Sequence, residues 1–416
     1  MGGTINAMIV AAMLGAVAPR TPGQTGDPQR AAPTAIRVAT FNVEDVRTED
    51  LLRDDQPRLK RLAEVLQRIR PNIVLLNEIA YDMPGAPCAP EGEEPGLNAQ
   101  RFAQRYLAIA QAPDVEPLAM RAFMAPSNTG MPSGLDLNND GRIVKDFPLP
   151  PPGTPDGRPG PQTQGGRDYG GDCWGFGTFP GQYAMALLVD ERLTIDLERV
   201  RTFQRLPWDY VHGAFLPEDP TTVTPWYSDE ERALARLSSK SHWDVPVMLP
   251  NGARLHVLCS HPTPPAFDGP EQANHKRNHD EIRFWIDYLS GETYIVDDAN
   301  RPGGIDRAEP FVILGDLNAD PDEGDSFKDP IGRLLLASPR INASRTPTSD
   351  LHVDGLDPDD TAFFALRVDY VLPARSIEIA ACGIWRQPPT TGDTREFPSD
   401  HFPVWADLAV PAPTVR

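Results

Sequence analysis

The chain has 416 residues, enough for one large or two ordinary domains with a full hydrophobic core. Its 59 acidic residues against 39 basic ones leave a formal charge of −20, which excludes general electrostatic capture of duplex DNA while leaving room for a local basic groove. Four cysteines are too few for a disulfide scaffold, no Cys-x-x-Cys supports a zinc ribbon, and 46 prolines point to long ordered loops.

In chain order, the first nineteen residues carry no charged side chain, and the apolar run 7–18 is too short to span a bilayer. It ends in Ala16-Val17-Ala18, a small-x-small pattern that suits signal peptidase. Residues 1–18 are therefore expected to be a signal peptide with a weak n-region, and the protein to be secreted or periplasmic. A Pro/Gly/Gln-rich linker at 19–34 leads into a single domain at 35–410. Ile36 to Asn42 alternates apolar and polar side chains, as a half-buried strand does. Residues 57–70 predict a helix that opens on Pro57, presents Leu59, Leu62, Leu66 and Ile69 on one face, and stops at Pro71. Asn72 to Glu78 is then a buried strand tipped by a carboxylate.

Residues 82–181 read as an insertion, with a helical piece near 98–111, a strand near 118–124 and a long Pro/Gly stretch. Within it, Asp136-Leu137-Asn138-Asn139-Asp140-Gly141 matches the first half of an EF-hand loop, but Phe147 stands where the bidentate Glu belongs, so a polar turn is the better expectation. Cys88 and Cys173 lie in loop-like sequence and form the expected disulfide pair, whereas Cys259 and Cys382 sit in apolar strands as small core residues. Strands follow at 183–189, 244–249 and 253–260, the last running into His261. A helix is predicted over 270–289, with Ile282, Trp285, Ile286 and Leu289 as its apolar stripe. His275 and His279 stand four apart on it, but Lys276 occupies the place of a metalloprotease glutamate, and a solvated face is expected. Phe311 to Leu314 is a buried strand ending in Gly315 and Asp316, with Asn318 two residues on and Asp320 as a turn-former. Two further strands run through Arg367–Leu372 and Ile377–Cys382, and the chain closes on Ser399-Asp400-His401-Phe402-Pro403-Val404.

The polar residues at strand ends are Asn42, Glu78, His261, Asp316, Asn318, Asp369, Asp400 and His401. Carboxylates with an amide suit a hard cation such as Mg²⁺, and histidines beside them supply acid–base groups or charged donors near neutral pH. Such a set suits in-line attack of water on a phosphate ester. Lys240 and His242 are candidates for binding a substrate phosphate, a solvated strand entry being the alternative. The sequence has no Gly-x-Ser-x-Gly elbow, phosphate-binding Gly-rich loop or His-Glu-x-x-His.

Five segments in order, Thr40-Phe41-Asn42-Val43-Glu44, Leu76-Asn77-Glu78-Ile79, Gly315-Asp316-Leu317-Asn318-Ala319-Asp320-Pro321, Arg367-Val368-Asp369-Tyr370-Val371-Leu372 and Ser399-Asp400-His401-Phe402-Pro403-Val404, resemble the signature of the endonuclease/exonuclease/phosphatase superfamily. The resemblance implies an α/β fold, a four-layer sandwich with two packed mixed β-sheets and the site at one end. It implies Glu78 as principal metal ligand with Asn42 and Asp400, and Glu44 as a further metal candidate. It also implies Asp316 as the residue orienting the attacking water, Asn318 on a phosphate oxygen, His401 partnered by Asp369, and His261 as a second histidine. The implied cofactor is Mg²⁺, with Mn²⁺ or Ca²⁺ as alternatives. The implied partner is a phosphoester substrate, whether nucleic acid, phospholipid head group or small diester, acted on by a monomer without a stable protein partner. A secreted phosphodiesterase with nuclease activity leads; a phosphomonoesterase or sphingomyelinase-like enzyme, or an inactive binding module, are the alternatives.

Overall fold

The computed structural model describes Met1, residues 32–392 and residues 396–413. The apolar N-terminal run and most of the linker lie outside the described residues.

The strands are β1 (Thr34–Val46), β2 (Ile73–Ile79), β3 (Met120–Phe123), β4 (Met185–Asp190), β5 (His242–Met248), β6 (Arg254–Ser260), β7 (Phe311–Asp316), β8 (Asp369–Pro373), β9 (Glu378–Ile384) and β10 (Val404–Val410). The two principal helices are α1 (Pro57–Ile69) and α2 (Ala273–Ser290). One sheet runs β9–β10–β1–β2–β4–β3, and the other runs β8–β7–β6–β5 before short edge strands at Thr194–Ile195 and Arg201–Thr202. Two pairs are parallel, β1 with β2 and β6 with β7. A parallel pair needs a long crossover, and α1 and α2 supply them. All other pairings in these two sheets are antiparallel, so both sheets are mixed. β1 lies against β7 and β8, and the facing side chains, among them Phe41, Leu76, Val257 and Ile313, are excluded from water in one continuous core. The architecture is the expected four-layer α/β sandwich, with a β–α–β unit in each half.

This topology gathers the site. Parallel β1 and β2 end side by side, placing Asn42 opposite Asn77, one residue before Glu78. β6 and β7 end together, delivering His261 and Asp316. β8 runs the other way, so its first residue, Asp369, faces Asp316. β10 is antiparallel to β1, with Val404 opposite Thr40, so the 399–401 turn lies at the same end. At Gly315 a Cβ would sit 2.0 Å from the Ser260 carbonyl oxygen. Only glycine lets β6 and β7 approach so closely where they carry catalytic candidates.

Several sequence expectations are corrected. Cys88 and Cys173 are free thiols, the first exposed and the second buried with its Sγ on the Tyr169 carbonyl, so the expected disulfide is not formed. His275 and His279 are buried rather than solvated, because the loops before β5 and after β6 fold over α2. They do not converge: His275 pairs with Asp268 at 2.9 Å and His279 with Asp280 at 3.0 Å. The strand expected from Arg367 begins at Asp369. The 136–141 stretch is a polar turn, in which Asp136 accepts from the backbone of Asp140 and Gly141. Asp320 does form its turn, accepting from Asp322 and Glu323, and its other oxygen takes the Arg367 N–H.

Candidate active site

β1 does not end cleanly. Its register with β2 slips between Asn42 and Val46, and Glu44, Asp45 and, on β2, Glu78 take left-handed backbone conformations. Bulges of this kind re-aim side chains at sheet ends, and strained residues cluster at functional sites. Here the effect is to bring the Asp45 N–H onto Glu78 Oε2 at 3.1 Å, while Asn42 Nδ2 reaches Glu78 Oε1 at 3.1 Å.

Asp316 Oδ2 is the centre of the constellation. Asn42 Nδ2 lies 3.0 Å from it, His261 Nε2 3.4 Å and His401 Nε2 3.8 Å. Burial alone would raise the Asp316 pKa, but His401, His261 and Asn42 outweigh it and hold the carboxyl well below its usual range. His401 donates through its other nitrogen to Asp369 Oδ2 at 2.8 Å. Burial works against its charge, yet Asp369 and Asp316 keep the imidazole protonated well above the ordinary histidine value. Asp369 itself is pushed up to about 6 by burial, with His401 pulling against the rise. His261 goes the other way: burial, then the Lys240 charge, push it down to about 4. One histidine is thus a cation and the other neutral, both touching one carboxylate.

Glu78 is half-buried, and burial followed by the charge of Asp400 raises its pKa to about 7. Asp400 is exposed at the mouth. The Glu78 carboxylate, held by the Asn42 amide and the Asp45 N–H with the Asp400 charge nearby, offers oxygen donors of the kind a hard cation takes. Ligand atoms of Asp316, Asp369 and His401 also lie within 4.8 Å of one another, the one such group among the described residues. Two places in the site thus offer donors that suit a divalent cation, this trio and the Glu78 carboxylate beside Asn42. Asn42, expected as a ligand, turns its amide oxygen to the Glu44 N–H at 3.0 Å and bridges Glu78 to Asp316 instead. Glu44, the further candidate, is ion-paired with Arg158 at 2.5 Å. Asn318 donates to the Pro262 carbonyl at 3.1 Å.

The two phosphate-binding candidates separate. His242 is fully buried against Phe284 and Trp285, with its ring nitrogens on Ser238 Oγ at 2.7 Å and the Glu281 carbonyl at 2.9 Å. Burial pushes its pKa down to about 3, so it is a core residue with no face toward the site. Lys240 is buried too, but it lies where it feels Glu281, Glu78 and Asp316, and its ammonium donates to the Pro262 carbonyl at 3.3 Å. Neither residue is a solvated strand entry.

Three residues outside the expected site set position the site. Asn77 Oδ1 accepts from Thr40 at 3.2 Å and from the Asp316 N–H at 3.3 Å, tying one sheet to the other. Glu281 on α2 accepts from Ser239 N–H at 2.6 Å, Ser239 Oγ at 2.9 Å and Thr263 N–H at 2.7 Å. It thereby clamps the segments that carry Lys240 and His261. Arg58 on α1 donates to the carbonyls of Gly157 and Val43 at 2.7 Å each and of Pro398 at 3.4 Å.

The family model described as Endonuclease/Exonuclease/phosphatase family matches residues 39–401. No curated protein matches the chain. Among solved structures, an endonuclease/exonuclease/phosphatase from Beutenbergia cavernae is 17% identical, with a TM-score of 0.49 over 92% of this chain and 73% of that one. The human Nocturnin catalytic domain with bound sulfate is 13% identical, with a TM-score of 0.42 over 92% and 99%. A Bacteroides vulgatus endonuclease/exonuclease/phosphatase is 14% identical, with a TM-score of 0.43 over 91% and 99%.

Proposed function

The chain belongs to the endonuclease/exonuclease/phosphatase family, whose members are metal-dependent hydrolases of phosphate esters, and from that premise we propose that it is a Mg²⁺-dependent phosphodiesterase, a nuclease in the first instance. The observation that carries this reading is the convergence of Asn42, His261 and His401 on Asp316 Oδ2. A carboxylate kept ionised by these contacts is poised to accept a hydrogen bond from a water and orient it. His401, kept cationic by Asp369, donates to the phosphoryl oxygens as charge builds on them. Neutral His261, 3.4 Å from Asp316 Oδ2, steadies that carboxylate. Glu78 and Asp400 would hold a divalent cation, which when bound neutralises phosphate charge.

Because His401 acts as a cation, activity is lost as pH rises through its pKa. That limb of the pH–rate profile is expected well above the ordinary histidine value of about 6.5. Asp369→Asn removes the charge that chiefly holds the proton, so the alkaline limb should move down toward neutrality. An unmoved limb would separate Asp369 from His401 protonation.

The substrate is tested with plasmid DNA, RNA, sphingomyelin and p-nitrophenyl phosphate, each incubated with the full chain and Mg²⁺. Cleavage of either nucleic acid well ahead of the others is expected. Intact DNA and RNA beside a hydrolysed lipid or monoester would end the nuclease proposal.

A further inference from the structure

The Pro/Gly-rich stretch 148–163 is a built element that reaches the site. Its turn is closed by Thr154, which accepts the Arg158 N–H on its hydroxyl at 3.0 Å and donates its own N–H to the Arg158 carbonyl at 2.8 Å. A Cβ on Gly153 would meet the Arg158 carbonyl oxygen at 2.7 Å, and one on Gly160 the Pro151 and Pro152 carbonyls at 2.6 Å, so the segment can close only with glycine at these points. Arg58, buried in α1, fastens it through Gly157 to Val43 and Pro398, the neighbours of Glu44 and of the Asp400–His401 turn. One cation thus sets the segment's distance from both sides of the site.

Arg158 stands at the tip. Its guanidinium pairs with Glu44 Oε2 at 2.5 Å and donates to the Phe397 carbonyl at 3.0 Å. A guanidinium has five N–H donors, and among the described residues these two are the only ones used. Its side chain keeps 30% of its surface open. Glu44 in turn feels Asp400 and His401, which places the pair beside the reacting centre. Arg58 and Arg61 both feel the Arg158 charge, with the carboxylates of Glu44, Asp45 and Asp156 set among them. The remaining donors have no partner among the described residues, and the side chain is open to solvent.

We propose that Arg158 determines specificity by binding a second phosphate of the substrate, one attached close to the phosphate that is cleaved. The proposal rests on the phosphoesterase reading and names what that site selects. A planar fork matches phosphate oxygens two at a time, and the ion pair with Glu44 fixes its orientation before substrate arrives. The second phosphate can belong to a nucleotide chain or to a polyphosphorylated head group; the chemistry recognised is the same.

Binding is measured by calorimetry with Mg²⁺ in a His401→Ala background, where turnover is silenced, so the result does not depend on hydrolysis. The probes are thymidine 3′,5′-bisphosphate against thymidine 5′-phosphate, and inositol 1,4-bisphosphate against inositol 1-phosphate. At least one bisphosphate is expected to bind about tenfold or more tightly than its monophosphate, as one charge-assisted contact implies. Adding Arg158→Gln should erase the difference, and Arg158→Lys should keep part of it. Preference in the thymidine pair alone identifies a nucleotide source, and in the inositol pair alone a head-group source. A residue that merely braces Glu44 would change both members of a pair alike. Equal affinities in both pairs, or a preference unchanged by Arg158→Gln, would overturn the proposal. Failure of the parent enzyme to hydrolyse any phosphoester would count separately, against the reading on which it rests.

Discussion

His401→Ala and Asp316→Asn are each expected to lower phosphodiester turnover by about 10³-fold or more, since each removes a charged group acting on the reacting atoms. The two act as one unit around Asp316 Oδ2, so the double variant should cost little more than either single one. The fold should survive, because both side chains sit at strand ends rather than in the apolar core, and far-UV circular dichroism should be unchanged. Additive losses would mean that the two residues serve separate steps. His261→Ala should cost less, since its neutral ring steadies Asp316 and carries no charge of its own. A normal rate in Asp316→Asn would remove that carboxylate from water activation.

The largest effect on stability is expected at Arg58. Arg58→Met leaves three buried carbonyls, those of Gly157, Val43 and Pro398, without their donor. An abandoned buried acceptor costs on the order of 1–3 kcal/mol, so a loss of about 3 kcal/mol or more is expected from the urea midpoint. Lysine cannot reach three carbonyls in diverging directions, and Arg58→Lys should recover only a small part. Activity should fall with it, because those carbonyls belong to the segments carrying Arg158, Glu44 and the Asp400–His401 turn. A loss below about 1 kcal/mol would show that these segments are held by other contacts.

Why Arg58 escaped the sequence while Asp316 did not has a physical answer. A short apolar run ending in a polar residue marks a buried strand with its tip at a sheet edge, and β2, β6 and β7 all carry that mark. Crossover helices between parallel strands then fix which tips meet. Nothing comparable marks a charged residue on a helix. Arg58 and Glu281 look solvated in one dimension, and only the folding of distant loops over α1 and α2 buries them. His242 and His275 misled for the same reason, their partners being supplied by a helix or loop whose position the local pattern does not encode. The Asn42 amide shows a finer limit. Its place beside Glu78 and Asp316 follows from the strand order, but which of its two atoms faces them depends on the bulge after Asn42, which turns the Glu44 N–H onto the amide oxygen.

The central claim is that these strand ends hydrolyse a phosphodiester with water in a metal-dependent site. It is tested most directly by the rate of p-nitrophenol release from bis-p-nitrophenyl phosphate by the full chain in Mg²⁺, after EDTA, and after Mg²⁺ is restored. Activity that disappears in EDTA, returns with the metal and is absent from His401→Ala in all three conditions is the predicted result. Release that continues undiminished in EDTA, or in His401→Ala, would contradict it.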